Sequence, residues 1–353
     1  MKKALSIFIA LGLTVTLTAC EKAPEGDAQS VINQAWEKLA DKSSSYQTGE
    51  IEFSGKGNLE VENNKAEISG SGNVQFDSTD ESNMKSAIAL DLKANGELEG
   101  KKGTVDIKGQ IKMLDKTLFL FVDNFNVDAG DPQTNMMVNL VGNLYKSQWI
   151  ALPSDSVETP DAVSLESFNG KEVAAIAKKH HFFEAKEDLG GGKYEVTINP
   201  EKLKAYLTEI GEVNGTPMMA EDLEAIDQLF QTMQYSLQVQ IDDDYDLTWV
   251  MGTLSAKDEM EGQQMTVAFE GNIDENSSNG YIDLSMAGTA PGKARVEFEI
   301  EHEEKSVSIE KPENAQNFDP GALFGGAMGG GMGEGMPEGL PEGMTPEMMG
   351  LPQ

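Results

Sequence analysis

Ile51-Glu52-Phe53-Ser54-Gly55-Lys56-Gly57-Asn58-Leu59-Glu60-Val61 places an apolar residue or a glycine at every odd position and a polar residue at every even one. Successive side chains of a strand point to opposite faces, so this alternation predicts a half-buried β-strand. Asn63-Asn64 supplies a turn, and the pattern resumes in even register at Ile68, Gly70, Gly72, Val74 and Phe76. Ile88, Leu90 and Leu92 then alternate with Ala87, Ala89 and Asp91, with Gly96 and Leu98 extending the strand. After the turn Gly100-Lys101-Lys102-Gly103 come Val105, Ile107 and Ile111, and then the denser apolar run Thr117–Val122. Consecutive strands with short turns predict an antiparallel meander. Glycine inside a strand marks a bend or bulge, so the glycine-spotted face predicts a curved sheet.

Outward from this meander the period changes. Upstream, Val31, Ile32, Ala35, Trp36 and Leu39 recur at helical spacing and predict a helix over Asp27–Asp41, with Asp27 at its N-cap. Downstream, Asn124–Asn143 contains Gly130-Asp131-Pro132 and reads as a long loop with at most a helical turn, before a short strand at Trp149–Leu152. The second half predicts helices at Gly170–His180, from Pro200, and at Ala220–Met233. Its strands are predicted around Phe182–Glu187, Tyr194–Asn199, Tyr235–Ile241, Leu247–Ala256, Gln264–Ile273, Tyr281–Ala287 and Val296–His302. Beyond Asp319 the composition falls to Gly, Met, Pro and Glu without periodicity, which predicts a disordered tail over 319–353. The expected fold is α+β: one strongly bent antiparallel sheet, a half-barrel, wrapping a few short helices over residues 27–318.

The chain has 353 residues, a formal charge of −33 and a single arginine, Arg295. Phosphate recognition needs Lys and Arg clusters, so nucleic-acid binding is disfavoured. Lys2 and Lys3 precede an apolar run, Ala4–Thr16, that is too short to span a bilayer. Ala19 then precedes the only cysteine, Cys20. This order of charge, apolar run and small residue predicts a secretory signal peptide over 1–19. Its loss takes two lysines and no acids, leaving a charge of −35 on the remainder. With one cysteine no intrachain disulfide can form.

Leu17-Thr18-Ala19-Cys20 resembles the lipobox of bacterial lipoproteins. The resemblance implies cleavage after Ala19, a diacylglyceryl group on the Cys20 thiol and no other cofactor. It also implies a polar tether over 20–26 and residence in the cell envelope, outside the cytoplasmic membrane or on an outer membrane. The wider pattern is similar to the LolA/LppX/LprG-type lipoproteins. That likeness is carried by the N-terminal helix and the meander, with local echoes at Leu165-Glu166-Ser167 through Lys178-Lys179-His180-His181-Phe182-Phe183, at Tyr194–Ile198 and at Val307–Pro312. It implies a bent sheet around an apolar cavity that carries a lipid or acyl chain, and it supplies no catalytic residues.

On that implication the cavity candidates are Trp36, Leu39, Phe119, Phe121, Met136, Met137, Val138, Leu140, Leu223, Ile226, Phe230 and Met233. Each is also an ordinary core residue. Asp242, Asp244 and Asp246 have the spacing of a calcium loop, but Leu247 stands where that loop needs glycine and Thr253 where it needs a bidentate Glu, so a polar turn is the expectation. His180-His181 lacks a cysteine partner and adjacent helical residues point about 100° apart, which argues against a metal set. No G-x-S-x-G, phosphate loop or H-E-x-x-H occurs, so no enzyme is expected. The expected function is non-catalytic carriage of an apolar ligand. The alternatives are a structural lipoprotein with a self-filled core, and soft-metal capture by Met328, Met332, Met336, Met344, Met348 and Met349 of the tail.

Overall fold

The computed structural model describes residues 23–45, 47–62, 64–80, 84–98, 100–115, 117–144, 146–153, 170–213, 217–257, 264–288 and 291–317. Cys20, the apolar run before it and the Met-rich tail lie outside the described residues. The chain divides into two units between residues 316 and 317, and the helices and all the long strands belong to the first.

The alternating stretch forms β1 (Thr48–Val61), and the meander continues through β2 (Asn64–Asp77), β3 (Lys85–Leu98), β4 (Lys101–Leu114), β5 (Thr117–Asp128) and β6 (Trp149–Pro153). The second half contributes β7 (Phe183–Gly190), β8 (Lys193–Ile198), β9 (Met233–Ile241), β10 (Leu247–Lys257), β11 (Gln264–Ile273), β12 (Ser277–Ala287) and β13 (Gly292–Glu303). β1 pairs on one side with β2 and on the other with β13, both antiparallel. The two meanders are thereby fused into one sheet that runs β6-β5-β4-β3-β2-β1-β13-β12-β11-β10-β9-β8-β7. The sheet is large, strongly curved and not closed.

Register puts the alternating apolar positions of neighbouring strands on one face. One row runs Leu237, Gly252, Phe269, Ile282, Val296, Gly57, Ile68, Ala94 and Val105 across β9 to β4. A second row on that face holds Phe53, Gly72, Leu90 and Gly109. Glycine here makes room for a neighbour: a side chain at Gly72 would meet the Phe53 ring, whose Cζ lies 2.7 Å from the position of a Cβ. The opposite face carries the polar set, including Glu52, Lys56, Ser71, Asp91 and Lys108.

Helices cover part of the apolar face. α1 (Ala28–Ser45) starts at the expected cap, the Ser30 amide donating to Asp27 Oδ1 at 3.1 Å. With α4 (Pro200–Val213) it lies over β7–β10, where Val31, Ile32, Phe182, Tyr194, Val196, Leu203 and Leu237 form the main core, while α3 (Gly170–Lys179) packs through Ala174 and Ala177 on Ala40, Trp36 and Tyr206 of those two helices. Val31 and Phe182 are fully buried. α5 (Ala220–Thr232) packs on β9 and β10, with the Phe230 and Tyr235 rings 6.0 Å apart.

The structure corrects the long loop expected after Val122. β5 continues to Asp128, and α2 (Pro132–Leu144) follows it. Asp131 caps this helix by accepting from the Thr134 amide at 2.8 Å. β6 pairs with β5 only as far as Phe121, so the edge beyond it needs other partners. Asn139 of α2 supplies them, accepting from the Val127 amide at 3.0 Å and donating to its carbonyl at 2.7 Å. The Asn139 side chain thus substitutes for a missing strand.

Candidate functional site

The apolar face is covered by helices over β7–β10 and by α2 over β5, yet large apolar side chains between those regions remain open. Leu59 of β1, Ile68 of β2, Leu90 and Leu92 of β3 and Val296 of β13 are each about two-fifths exposed. All five share the apolar face, and they adjoin one another in register: Gly57 separates Ile68 from Val296, and Gly70 stands directly opposite Leu92. From Ile51 to Leu59 the face extends eight residue steps, about 27 Å at ~3.4 Å per residue. Isolated exposed leucines need no explanation, but a contiguous row on one sheet face is a candidate docking surface.

The cavity candidates do not form one wall. Trp36 sits in an aromatic cluster, its ring 4.9 Å from Phe182 and 6.3 Å from Tyr206, and its Nε1 donates to the Ala177 carbonyl at 2.7 Å. That bond satisfies the indole and ties α1 to α3. Leu39 is half-buried on α1. Phe119 is fully buried on the other face of the sheet, against Leu114, Ala151 and Ile309. Phe121 stacks near Trp149 on that same face, 5.1 Å away. Met136 is exposed on α2, where Met137, Val138 and Leu140 also stand. Leu223, Ile226 and Phe230 belong to α5, and Met233 begins β9. The twelve are thus spread over α1, the other face of β5, α2 and the junction of α5 with β9.

A hollow of about 560 Å³ among the described residues lies on the polar face rather than the apolar one. Its walls include Glu52, Ser54, Asn73, Asp91, Lys108 and Gln110, and none of the twelve candidates.

Electrostatics in this unit hold elements together. Asp242 and Asp246 are buried. Asp242 Oδ1 accepts from the Asp244 and Asp246 amides at 3.0 and 2.8 Å, and burial raises its pKa. The Asp246 carboxylate is held by Lys38 at 3.0 Å and Lys42 at 2.7 Å, so two ammonium groups of α1 occupy the place a cation would take. The acidic run is therefore a turn clamp between α1 and β9–β10. His180 contacts Glu209 at 2.7 Å, whereas His181 contacts Glu37 at 2.9 Å, so the two rings serve different carboxylates. The His180 and Lys179 bonds hold the Glu209 carboxyl below its ordinary range. Glu50 is buried beside Lys305, at 2.8 Å, and also accepts from Asn73 and Gln75; the Lys305 bond leads in lowering its pKa. Among the described residues no group of three or more His, Cys, Asp or Glu side chains is arranged to hold a metal. No described helix is long and apolar enough to cross a membrane.

No protein-family model matches the chain, and no curated protein matches it in sequence. Among solved structures it is similar to a DUF1329 family protein from Desulfovibrio piger, at 8% identity and a TM-score of 0.25, covering 80% of this chain and 96% of that one. OccK5 (OpdH) of Pseudomonas aeruginosa matches at 5% identity and a TM-score of 0.22, with 72% and 97% coverage. The MucA/MucB complex of Pseudomonas aeruginosa matches at 8% identity and a TM-score of 0.16, with 80% and 100% coverage. Scores this low carry no argument about what the chain does.

Proposed function

We propose that this chain is a non-enzymatic, lipid-anchored envelope protein that holds an acyl chain or similar apolar ligand on the open apolar face of its sheet. The observation that carries the reading is the adjoining exposed set Leu59, Ile68, Leu90, Leu92 and Val296, which no described helix covers. Covering the two-fifths still exposed on each side chain is worth roughly 1 kcal/mol, about 5 kcal/mol for the five together. The open set runs from Leu90, level with Phe53, to Leu59, six residue steps or about 20 Å, long enough for a hydrocarbon chain, since one leaflet of a bilayer core is about 15 Å thick. The enclosed concave cavity that the family resemblance implies gives way here to an open surface. The anchor is the diacylglyceryl group expected on Cys20, whose two chains suffice for stable attachment. No metal, nucleic acid or catalytic residue enters this reading.

The test is native mass spectrometry with lipid extraction on the chain from Glu21 onward, produced without its anchor and compared with Leu92→Glu and Ile68→Glu variants. A stoichiometric lipid on the unaltered chain that is lost from both variants supports the reading. A ligand-free protein that stays so after incubation with lipid vesicles favours the structural alternative, in which α1, α4 and α5 already fill what the sheet needs filled.

A further inference from the structure

The first described residues after the expected anchor do not trail into solvent. Pro24 is buried, packed against Gly192 in the β7–β8 turn, with its Cδ 3.5 Å from where a Cβ would stand. Gly192 has φ +77°, and a side chain there would collide with the Ile241 carbonyl oxygen, so the seat for Pro24 depends on glycine. One residue on, the Glu25 carbonyl accepts from the Tyr245 hydroxyl at 2.9 Å, and Tyr245 belongs to the β9–β10 turn. That turn is itself immobilised: Lys38 donates to the Asp244 carbonyl at 2.7 Å, and Lys38 and Lys42 hold Asp246. Gly26 comes within 3.7 Å of Val31 Cγ2, measured from its Cβ position, and Asp27 then caps α1. Two turns and a helix therefore grip the chain from Pro24 onward.

Only three peptide steps separate Ala23 from Cys20, a reach of at most about 11 Å. We infer that the acylated chain is held in a defined orientation, with the β7–β8 and β9–β10 turns as the part of the body next to the bilayer surface. This rests on the acylation of Cys20 in the proposed function, and adds to it a membrane-facing surface. A freely jointed tether would let any part of the body approach the lipid; a gripped one of this length selects these turns. The end of the sheet at the β3–β4 hairpin, opened by Lys101, is correspondingly remote: in register Ile241 is level with Gly109, and Lys101 stands eight residue steps farther along β4, about 27 Å. The turns carry Asp188, Asp242, Asp243 and Asp244, so anionic headgroups would repel them and zwitterionic lipid is the suitable surface.

The experiment uses the full acylated protein reconstituted into phosphatidylcholine vesicles carrying an energy-transfer acceptor on a small fraction of headgroups. With Cys20 acylated, an added cysteine is the single free thiol, and a donor dye is placed at Leu189→Cys or at Lys101→Cys. Transfer from position 189 is expected to exceed that from position 101 by about twofold or more, given the ~11 Å tether and the ~27 Å offset along the strands. A Gly/Ser insertion of about twelve residues between Lys22 and Ala23 leaves the grip intact but frees its distance from the lipid, and is expected to bring the two efficiencies together. Vesicle-bound protein with equal or reversed efficiencies overturns the orientation alone, as does a ratio that the insertion leaves unchanged. Protein that does not float with the vesicles at all overturns the acylation reading and the orientation with it.

Discussion

Strands β7–β10 and strands β1–β3 with β13 carry the same alternation, but they end in opposite states. On the first group α1, α4 and α5 lie over the apolar face, and Val31 and Phe182 lose all contact with solvent. On the second group Ile68 and Val296 each keep 45% of their surface exposed. The side chains are of one kind, so their difference lies in what the rest of the chain places above them. Helices are spent on the short strands at one end of the sheet, where β7 and β8 run only eight and six residues. The longest strands, fourteen residues each in β1–β4, have ladder partners on both sides and hold together through those hydrogen bonds. A sheet stabilised by its ladder can leave an apolar face free for something else.

The sharpest way to break this comparison is to damage each region alike. Phe182→Ala removes a ring with no exposed surface that packs against Trp36, Phe183 and Tyr206, and is expected to cost about 3–5 kcal/mol in urea unfolding. A cost close to that of a surface change would show that the helical cover is not a core. Asn139→Ala removes the two bonds to Val127 at the edge of β5, and is expected to cost about 1–2 kcal/mol and to speed amide exchange at Val127. Undisturbed exchange there would deny α2 its role as edge cover.

A smaller effect concerns pH. The folded-state pKa of Glu50 lies below its ordinary 4.5, chiefly through the Lys305 bond. Its stabilising contribution is therefore complete above 4.5 and is lost as pH falls through the lowered value. Lys305→Met leaves burial, which raises the pKa, less opposed, so acid unfolding is expected to begin at higher pH than in the unaltered chain. An unmoved acid midpoint in circular dichroism would contradict this. The smallest change belongs to the open face: Ile68→Val removes one methylene from a side chain that is 45% exposed, and is expected to alter stability by no more than about 0.5 kcal/mol. A large loss would mean that the face is closed in solution.

Much of this architecture is legible in the chain, and the reasons are local. The odd-position register of Ile51 to Val61 assigns the faces of β1, and Asp27 marks the start of α1, because both signals depend on neighbours within one strand or one turn. α2 is hidden because Gly130-Asp131-Pro132 breaks the strand alternation and reads as a loop, and the purpose of Asn135 and Asn139 appears only beside the β5 edge. The site itself was half legible. Alternation puts Leu59, Ile68, Leu90 and Leu92 on the apolar side, but whether a helix covers them is decided by residues far away in sequence. Phe119 and Phe121 misled for the same reason: they lie in a dense apolar run with no alternation, and they face Ile309 and Trp149 on the opposite side of the sheet from Leu118 and Leu120.

The most direct test of the open-face account is photo-crosslinking with a diazirine-bearing fatty acid, followed by peptide mapping of the chain from Glu21 onward. The account predicts adducts concentrated on peptides of β1, β2, β3 and β13, around Leu59, Ile68, Leu92 and Val296, competed away by unlabelled fatty acid. Adducts confined to α4 and α5 around Phe230, or none that competition removes, would contradict it.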